Sequence, residues 1–388
     1  MPSHGPVGPA KTILTAMISK KIAVLPGDGI GPEVCRQAVK VLEAVAERFD
    51  HHFDLSSHLM GACAIDATGN PLPDETLAAC RAADAVLLGA IGDPKYDHDP
   101  SANVRPEQGL LRLRKELGLF ANIRPVMAYD VLLAHSPLKK ERIQGTDMVI
   151  FRELTGGIYF GEKGRTADGE GAYDHCTYSR HEIRRIAHLA FQAAAGRRQH
   201  LTLVDKANVL ETSRLWREEV REMAHQYPAV TVDYLFVDNA AMQVILNPTQ
   251  FDVILTENMF GDIISDEASV IAGSMGLLPS ASIGEAVALF EPIHGSYPQA
   301  RGKGIANPIA AILSVALLLE HLELPAEAAL VREAVDEALN NGILTPELNA
   351  TAPYTTEEVG NYIAFWIVDS NEKQWNKNNV EIGISTII

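Results

Sequence analysis

Residues 21–34, KIAVLPGDGIGPEV, decide the fold class of this chain. The run 21–26, KIAVLP, predicts a buried strand, and the glycine-rich segment after it leads into apolar residues at helical spacing. A strand, a glycine loop and a helix in this order are typical of an α/β domain. The glycines follow the pattern GxGxGP, which differs from the GxGxxG of a Rossmann dinucleotide loop. We therefore do not predict a Rossmann fold.

Similar apolar runs recur along the chain, and helical segments separate most of them, which predicts the α/β class for the whole chain. The best apolar stretch, 309–319, is too short to span a bilayer, which needs roughly 18 residues, and predicts a buried helix. The further predicted strands are 85–89, 148–152, 201–204, 230–237 and 251–256.

The composition sets limits on size, partners and compartment. A length of 388 residues with 47% hydrophobic content suits about two domains. The net charge of -17 argues against nucleic-acid and membrane-surface partners, because both require clustered Lys and Arg. Four cysteines show neither a CxxC pair nor metal-site spacing, so we predict reduced thiols and a cytoplasmic protein. They are Cys35, Cys63, Cys80 and Cys176.

Both ends of the chain differ from the rest in composition. Residues 1–19 are rich in Pro and Gly at first and contain no Arg. We expect a disordered extension there, because a transit peptide is normally Arg-rich and amphipathic. Residues 371–388 are polar and then β-branched, which leaves open a tail or an added strand.

Three carboxylates surround two apolar runs in residues 235–266, LFVDNAAMQVILNPTQFDVILTENMFGDIISD. On a helix that begins near Gly261, Asp262 and Asp266 would share one face and could bind a divalent cation. Asp238 would add a third oxygen ligand. The alternative is that Asp262 caps the helix and Asp266 is solvated. Spacing alone leaves both interpretations open.

Arginines are concentrated in one stretch of this acidic chain, residues 105–125, RPEQGLLRLRKELGLFANIRP. Arg114 and Arg124 lie there, and Arg152 follows in FRELTGGIYFGE. A guanidinium group binds a carboxylate through two hydrogen bonds, so several of them favour a di-acid substrate. Arg112 and Lys115 could also bind a substrate carboxylate, and the alternative is that they lie on a solvated helix face.

Together these motifs resemble those of a known enzyme family. Over about residues 20–368 it resembles the isocitrate/isopropylmalate family of β-decarboxylating dehydrogenases, and within that family it is most similar to the members that act on 3-isopropylmalate. The motifs that carry this resemblance, in order, are LPGDGIGPEV, LLRLRKELGLFANIRP, RELTGGIYFGE, VDKANVL, FGDIISDEAS, LLPSAS, EPIHGS and GKGIANP.

The resemblance implies a two-domain α/β fold that is not a Rossmann fold and whose first domain is discontinuous. Residues 20–119 and 273–370 would form the cofactor-binding domain, and residues 120–272 the substrate and dimerisation domain. The active sites would be shared between the two subunits of a homodimer.

The resemblance also implies the catalytic roles. Asp262 and Asp266, with Asp238 from the neighbouring subunit, would bind Mg²⁺ or Mn²⁺, which acts as a Lewis acid. Lys206, also from that subunit, would take the hydroxyl proton; the alternative is a surface lysine. Tyr159 would protonate the enol carbon; the alternative is a half-buried aromatic in a hairpin arm. The substrate carboxylates and hydroxyl region would be bound by Arg114, Arg124 and Arg152.

The apolar residues near the arginines indicate the substrate. Relatives that act on isocitrate carry polar residues around Leu110 and Leu111 to bind a third carboxylate. Here these residues and Val209 would form a pocket for an isopropyl group, unless the leucines belong to the core. Burying each methyl-sized group contributes about 0.8 kcal/mol, whereas an unpaired carboxylate would cost several kcal/mol. Glu107, expected near the nicotinamide, would also repel a carboxylate. We therefore expect oxidative decarboxylation of (2R,3S)-3-isopropylmalate.

Residues 291–307, EPIHGSYPQARGKGIAN, are expected to form the cofactor site. Where NAD-using relatives commonly carry Asp, this chain has Gln299, and Arg301 is nearby. We expect NAD, and the loss of the anion leaves NADP open. Glu257, where many relatives have Gly, is expected to influence the metal site. The expected cofactor-binding residues are Glu291, His294, Gly295, Ser296, Gln299, Asn307 and Asn208.

Two alternatives remain at the level of function. One is an isocitrate, homoisocitrate, tartrate or malate dehydrogenase on the same scaffold, which the apolar leucines disfavour. The other is a catalytically silent regulatory subunit. Such subunits usually lack a key residue, whereas this chain retains the arginines, the tyrosine, the lysine and the three aspartates.

Overall fold

The chain forms one large mixed sheet that is covered by helices on both faces. The structure, a computed structural model, describes residues 17–97 and 104–369. The strands are β1 (Ser19–Gly27), β2 (His52–Ser57), β3 (Ala85–Ala90), β4 (Ala121–Met127), β5 (Asp147–Glu153), β6 (Lys163–Arg165), β7 (Ala172–Asp174), β8 (His200–Asp205), β9 (Thr231–Phe236), β10 (Val253–Thr256), β11 (Pro279–Ile283) and β12 (Ala288–Pro292). The helices are α1 (Gly31–Phe49), α2 (Ala62–Thr68), α3 (Asp74–Ala82), α4 (Pro94–Asp97), α5 (Pro106–Glu116), α6 (Lys140–Ile143), α7 (Arg180–Ala195), α8 (Glu211–Ala224), α9 (Val237–Leu246), α10 (Asn258–Ser269), α11 (Ile309–His321), α12 (Pro325–Asn340) and α13 (Thr356–Val368). The predicted α/β class is confirmed.

The large sheet has ten strands in the order β2-β1-β3-β12-β11-β4-β5-β10-β8-β9. Strands β2, β1, β3 and β12 are parallel to one another, as are β5, β10, β8 and β9. Between these two groups, β11 and β4 pair antiparallel with each other and with their outer neighbours. The chain therefore crosses from one half of the sheet to the other through two adjacent central strands.

The inner strands of each half are buried on both faces, which explains why β3 and β10 are apolar almost throughout, whereas the edge strands β2 and β9 keep exposed residues. In the first half, Ile22 and Val24 of β1 belong to one core cluster, while Ala23 and Leu25 belong to the cluster on the opposite face. The second half alternates in the same way, with residues of β10 divided between two further clusters. The exact domain boundaries stay a prediction.

Some expected boundaries were wrong by a few residues. Helix α10 begins at Asn258, ahead of the expected start near Gly261, because the Glu257 side chain caps it. Strand β1 already begins at Ser19, inside the expected N-terminal extension. Strand β9 ends at Phe236, and Asp238 lies in the first turn of α9. Residues 1–16 and 370–388 lie outside the described residues, as do the predictions made for them.

The predicted buried helix and the predicted free thiols are both present in the structure. The apolar stretch 309–319 forms most of α11, whose residues are largely buried. All four cysteines are free thiols, as predicted. In the part of the chain that the structure describes, no helix has both the length and the apolar character to cross a membrane.

The glycine loop after β1 is shaped by close backbone packing. A Cβ atom on Gly89 of β3 would lie 2.3 Å from the Pro26 carbonyl oxygen and 2.7 Å from that of Gly31. Both distances are far inside normal van der Waals contact. Glycine at this position therefore allows the start of α1 to approach the sheet.

We predict that Gly89→Ala lowers the free energy of unfolding by about 1–3 kcal/mol, because the added methyl group overpacks this contact. Chemical denaturation measures the change. Gly196→Ala is the matched control, since Gly196 has an ordinary φ of -84° and the new Cβ would lie 3.7 Å from the Ala193 carbonyl oxygen, an ordinary contact distance. Equal stability of the two variants would contradict the prediction.

Candidate active site

Helix α10 carries two of the predicted metal ligands. Its N-cap is Glu257, whose side chain accepts a hydrogen bond of 2.9 Å from the Phe260 amide. Asp262 and Asp266 therefore lie within the helix, four residues apart and on one face. The interpretation of Asp262 as the helix cap is wrong. Both aspartates keep partly exposed carboxylates, which are suitable oxygen donors for a hard divalent cation.

Each of these carboxylates is bound to one of the predicted substrate arginines. Arg152, at the end of β5, pairs with Asp262 through a very short contact. Arg124 of β4 donates to Asp266 at 2.9 Å and to the Ser265 hydroxyl at 2.7 Å. Burial lowers the pKa of Arg152 to about 10, and Asp262 opposes that shift, so the guanidinium stays charged at neutral pH.

The third arginine, Arg114, pairs with an acid outside α10. Arg114 of α5 donates to the Glu291 carboxylate at 2.9 Å, and both side chains are mostly buried. Its Nε is buried and has no hydrogen-bond partner among the described residues. By contrast, Arg112 points away, to Asp74 at 2.8 Å and the Leu72 carbonyl, so its interpretation as a surface residue is supported.

Tyr159 faces the same acidic group. Its hydroxyl donates to Asp262 at 2.9 Å from a short helical turn, Gly157–Tyr159, that precedes the β6–β7 hairpin. Burial and the hydrogen bond to Asp262 raise its pKa, so the phenol keeps its proton at neutral pH. The structure thus brings Arg152, Asp262 and Tyr159 into direct contact.

Lys206 and Asp238 form a separate pair. Lys206 directly follows β8, and its Nζ lies 2.5 Å from the Asp238 carboxylate. This contact lowers the pKa of Asp238. Within residues 17–97 and 104–369, no three His, Cys, Asp or Glu side chains are grouped so as to hold a metal ion. A single chain therefore does not join Asp238 to Asp262 and Asp266, which leaves the predicted contribution from a second subunit untested.

The predicted specificity residues lie mostly at the surface of the single chain. Leu111 is 50% exposed and Val209 is 62% exposed. Leu110 is half-buried and packs against a core cluster, so its alternative role in the core is partly correct. Glu107 is exposed, and its carboxylate would lie 3.1 Å from a Cβ added to Gly92.

The predicted cofactor residues His294, Gly295 and Asn307 line a cleft of about 530 Å³. The His294 Nδ1 lies 2.9 Å from the Gly295 carbonyl oxygen, which can only accept, so Nδ1 carries the hydrogen. Its Nε2 is then an acceptor, and it is buried without a partner among the described residues. The amino group of adenine could donate the hydrogen bond that His294 Nε2 does not receive from the protein. The cleft therefore fits an adenosine nucleotide.

The remaining predicted cofactor residues have different surroundings. Ser296 is buried, and its carbonyl accepts a 2.8 Å hydrogen bond from the Ile30 amide, so the glycine loop packs against this segment. Gln299 and Asn208 are exposed. Glu291 binds Arg114, as described above, rather than lining the cleft around His294.

Glu257 does not face the expected metal site. Besides capping α10, it accepts a 3.0 Å hydrogen bond from the buried Tyr178 hydroxyl. The sequence analysis also missed Asn258, which contacts Arg152, and Glu347, which accepts a 2.9 Å bond from Asn307. No spacing pattern in the sequence identifies Asn258 or Glu347 as site residues, because their partners Arg152 and Asn307 are distant in the sequence.

Comparisons with known proteins place these features in context. The family model described as isocitrate/isopropylmalate dehydrogenase matches residues 21–363. The chain is 57% identical over 351 residues to a 3-isopropylmalate dehydrogenase of Bacteroides fragilis, covering 90% of this chain and 98% of that protein. It is 58% identical over 332 residues to that of Moorella thermoacetica, covering 84% and 93%.

Solved structures show the same fold. Isocitrate dehydrogenase from Methylococcus capsulatus superposes with a TM-score of 0.78 at 36% identity, covering 90% of this chain and 99% of that one. A β-decarboxylating dehydrogenase from Thermococcus kodakarensis gives 0.76 at 40% identity, covering 92% and 99%.

We predict that binding of NADH weakens only when the pH falls below the usual histidine value of 6.5, because burial lowers the pKa of His294. Protonation turns Nε2 into a donor that cannot accept from adenine. His294→Phe should weaken binding about 10-fold at neutral pH, by loss of one hydrogen bond, and abolish the acid-side dependence.

Fluorescence titration of NADH across the pH range measures these effects. His188→Phe is the control, because His188 lies on α7, hydrogen-bonds Tyr227 and does not line the cleft. An acid-side loss of affinity that persists unchanged in His294→Phe would assign it to another group.

Proposed function

The chain belongs to the isocitrate/isopropylmalate dehydrogenase family, and on this premise we propose that it converts (2R,3S)-3-isopropylmalate to 4-methyl-2-oxopentanoate and CO₂ while reducing NAD. This reaction is a step of leucine biosynthesis. The observation that carries the proposal is the contact of Arg152, Asp262 and Tyr159 beside Arg124 and Asp266. That arrangement offers cations for a di-acid, carboxylates for a divalent cation and a protonated phenol as an acid.

The arginines bind and orient the substrate. Arg114, Arg124 and Arg152 each already bind a carboxylate, and a substrate carboxylate offers the same acceptor geometry. They would hold the two carboxylates of the substrate so that its C2 hydroxyl group lies near Asp262. Fixing the substrate in this way supplies much of the rate enhancement through orientation.

The proposed cofactors would occupy two parts of this site. Asp262 and Asp266, with Asp238 of a second subunit, would hold Mg²⁺ or Mn²⁺, and the cleft at His294 would hold the adenosine part of NAD. When bound, the cation would supply Lewis-acid polarisation of the C2 oxygen, and NAD would supply the hydride acceptor.

Two side chains move protons. Lys206 takes the proton of the C2 hydroxyl, once its amine is released from Asp238. After the β-carboxylate leaves as CO₂, Tyr159 donates its phenolic proton to C3 of the enol. The raised pKa of Tyr159 keeps this proton in place at neutral pH.

A homodimer would complete the site. Helices α9 and α10 carry exposed apolar side chains, including Met242 at 56% and Ile263 at 56%. Exposed large apolar residues on neighbouring helices favour an interface with a second copy. Asp238 is on α9 and Asp262 on α10, so contact between these helices of two chains would bring the carboxylates together.

NAD is proposed over NADP, although Gln299 replaces the acid that commonly excludes a 2'-phosphate. Gln can hydrogen-bond a ribose hydroxyl, and the Gln299 side chain is exposed. Within the family, isocitrate, homoisocitrate, tartrate and malate are alternative substrates, and the apolar Leu111 and Val209 favour an isopropyl group over a third carboxylate. The retained catalytic side chains disfavour a silent subunit, and the cytoplasmic location stays a prediction.

We predict a strong preference for 3-isopropylmalate with NAD when the purified protein is tested with Mg²⁺ or Mn²⁺. Formation of NADH and NADPH is measured with 3-isopropylmalate, isocitrate, homoisocitrate, tartrate and malate at equal concentration. Preference for another acid would show that the leucines do not face the substrate. No turnover with any acid would favour the silent subunit.

The shared site is tested by mixing two inactive variants. Lys206→Met and Tyr159→Phe should each lose most turnover alone. After unfolding and refolding together, hybrid dimers would carry one intact site, which restores about a quarter of wild-type activity at random association. Absence of any recovery, with hybrid dimers verified by mass spectrometry, would place both residues of one site in the same chain.

A further inference from the structure

Asn258 connects three parts of the candidate site from a fully buried position. Its side-chain Oδ1 accepts hydrogen bonds from Arg152 Nε at 3.1 Å and from Nη2 at 2.9 Å. Its Nδ2 donates to the Gly156 carbonyl at 3.1 Å. We propose that Asn258 is a positioning residue that fixes Arg152 and the Gly156–Tyr159 turn relative to Asp262. This inference rests on the proposed function and adds a residue to it.

The contact with Asn258 determines which edge of Arg152 faces the site. A guanidinium group is planar and rigid, so two N–H groups bound to one oxygen set the direction of the others. The remaining Nη1 then meets Asp262. Asn258 lies at the start of α10, the helix that also carries Asp262. The position of Arg152 relative to the Asp262 carboxylate is therefore fixed by one helix.

The turn that carries Tyr159 is held between Asn258 and Tyr178. A Cβ added to Gly157 would lie 2.2 Å from the Tyr178 hydroxyl, and one added to Gly156 would lie 2.8 Å from the Tyr178 ring. Both glycines therefore pack directly on this aromatic side chain. From that turn the Tyr159 hydroxyl reaches Asp262 at 2.9 Å.

Tyr178 and Glu257 in turn hold Asn258 in place. The Tyr178 hydroxyl accepts a hydrogen bond from the backbone N–H of Asn258 at 3.0 Å and donates one to the Glu257 carboxylate at 3.0 Å. The Tyr178 ring packs edge-on against Trp216 at 5.4 Å between centroids.

Substitutions of Asn258 can separate its two contacts. Asn258→Ala removes both, and we expect kcat/KM to fall about 10- to 100-fold, the range for hydrogen bonds to a charged group. Asn258→Asp keeps an oxygen acceptor for Arg152 and loses the donor to Gly156. It should bind 3-isopropylmalate within about 3-fold of wild type by calorimetry, while kcat falls because the Tyr159 turn is released.

A second measurement does not depend on turnover. Amide hydrogen exchange of residues 154–161 in the ligand-free protein should become faster in both Asn258 variants. The control is Asn361→Ala, in which a half-buried asparagine that accepts from Lys40 on another face of the protein is removed. This control should leave both the exchange of the turn and kcat/KM unchanged.

Tyr178→Phe provides a milder variant if Asn258→Ala fails to fold. It keeps the ring against the two glycines and removes the hydroxyl, so kcat should fall about 3- to 10-fold, with faster exchange of the turn. Tyr227→Phe, which removes a hydroxyl bonded to His188 at 2.6 Å, is its control.

The results distinguish this inference from the proposed function. If the Asn258 and Tyr178 variants lose only thermal stability and match their controls in turn exchange, KM and kcat, Asn258 has a purely structural role and the inference is overturned. If wild-type protein does not turn over 3-isopropylmalate, the proposed function fails, while the exchange measurement still decides whether Asn258 holds the turn.

Discussion

The antiparallel pairing of β4 with β11 is the constraint on which the rest of the structure depends. Asn122 of β4 lies opposite Ser282 of β11, and its buried side chain donates to the Ser282 hydroxyl at 3.2 Å and to the Ala281 carbonyl at 3.3 Å. Its oxygen accepts from Arg124 Nε at 2.8 Å. The same side-chain amide therefore links the two halves of the sheet and orients Arg124, which we propose as a substrate-binding residue. A buried polar group with all its bonds made specifies one geometry.

Local pattern was sufficient for most of the architecture. The apolar runs at 21–26 and 85–89 became strands because a parallel sheet covered on both faces must bury every side chain. The pair Asp262 and Asp266 could be placed on one helix face because helical periodicity alone determines that relation. The start of α10 was misplaced because Glu257 was not considered as a helix cap.

The supporting contacts of the site could not be predicted from the sequence. Asn258 meets Arg152 and Gly156, and Tyr178 meets Glu257, across long separations that only the folded sheet closes. The sequence pattern predicted Asp238 as a third metal ligand but not its contact within the chain, where it pairs with Lys206. Exposure of Leu111 and Val209 likewise follows from tertiary placement, which composition does not encode.

The pairing of arginines with acids has a consequence for how the site fills. Three guanidinium groups and the carboxylates of Asp262, Asp266 and Glu291 balance one another in charge. A doubly negative substrate and a doubly positive metal ion together also sum to zero. In the proposed reaction, loading would be an electroneutral exchange of ionic partners, in which each incoming charge replaces one already present. Because the two ligands together carry no net charge, their joint occupancy should depend only weakly on ionic strength, even on a protein with a net charge of -17.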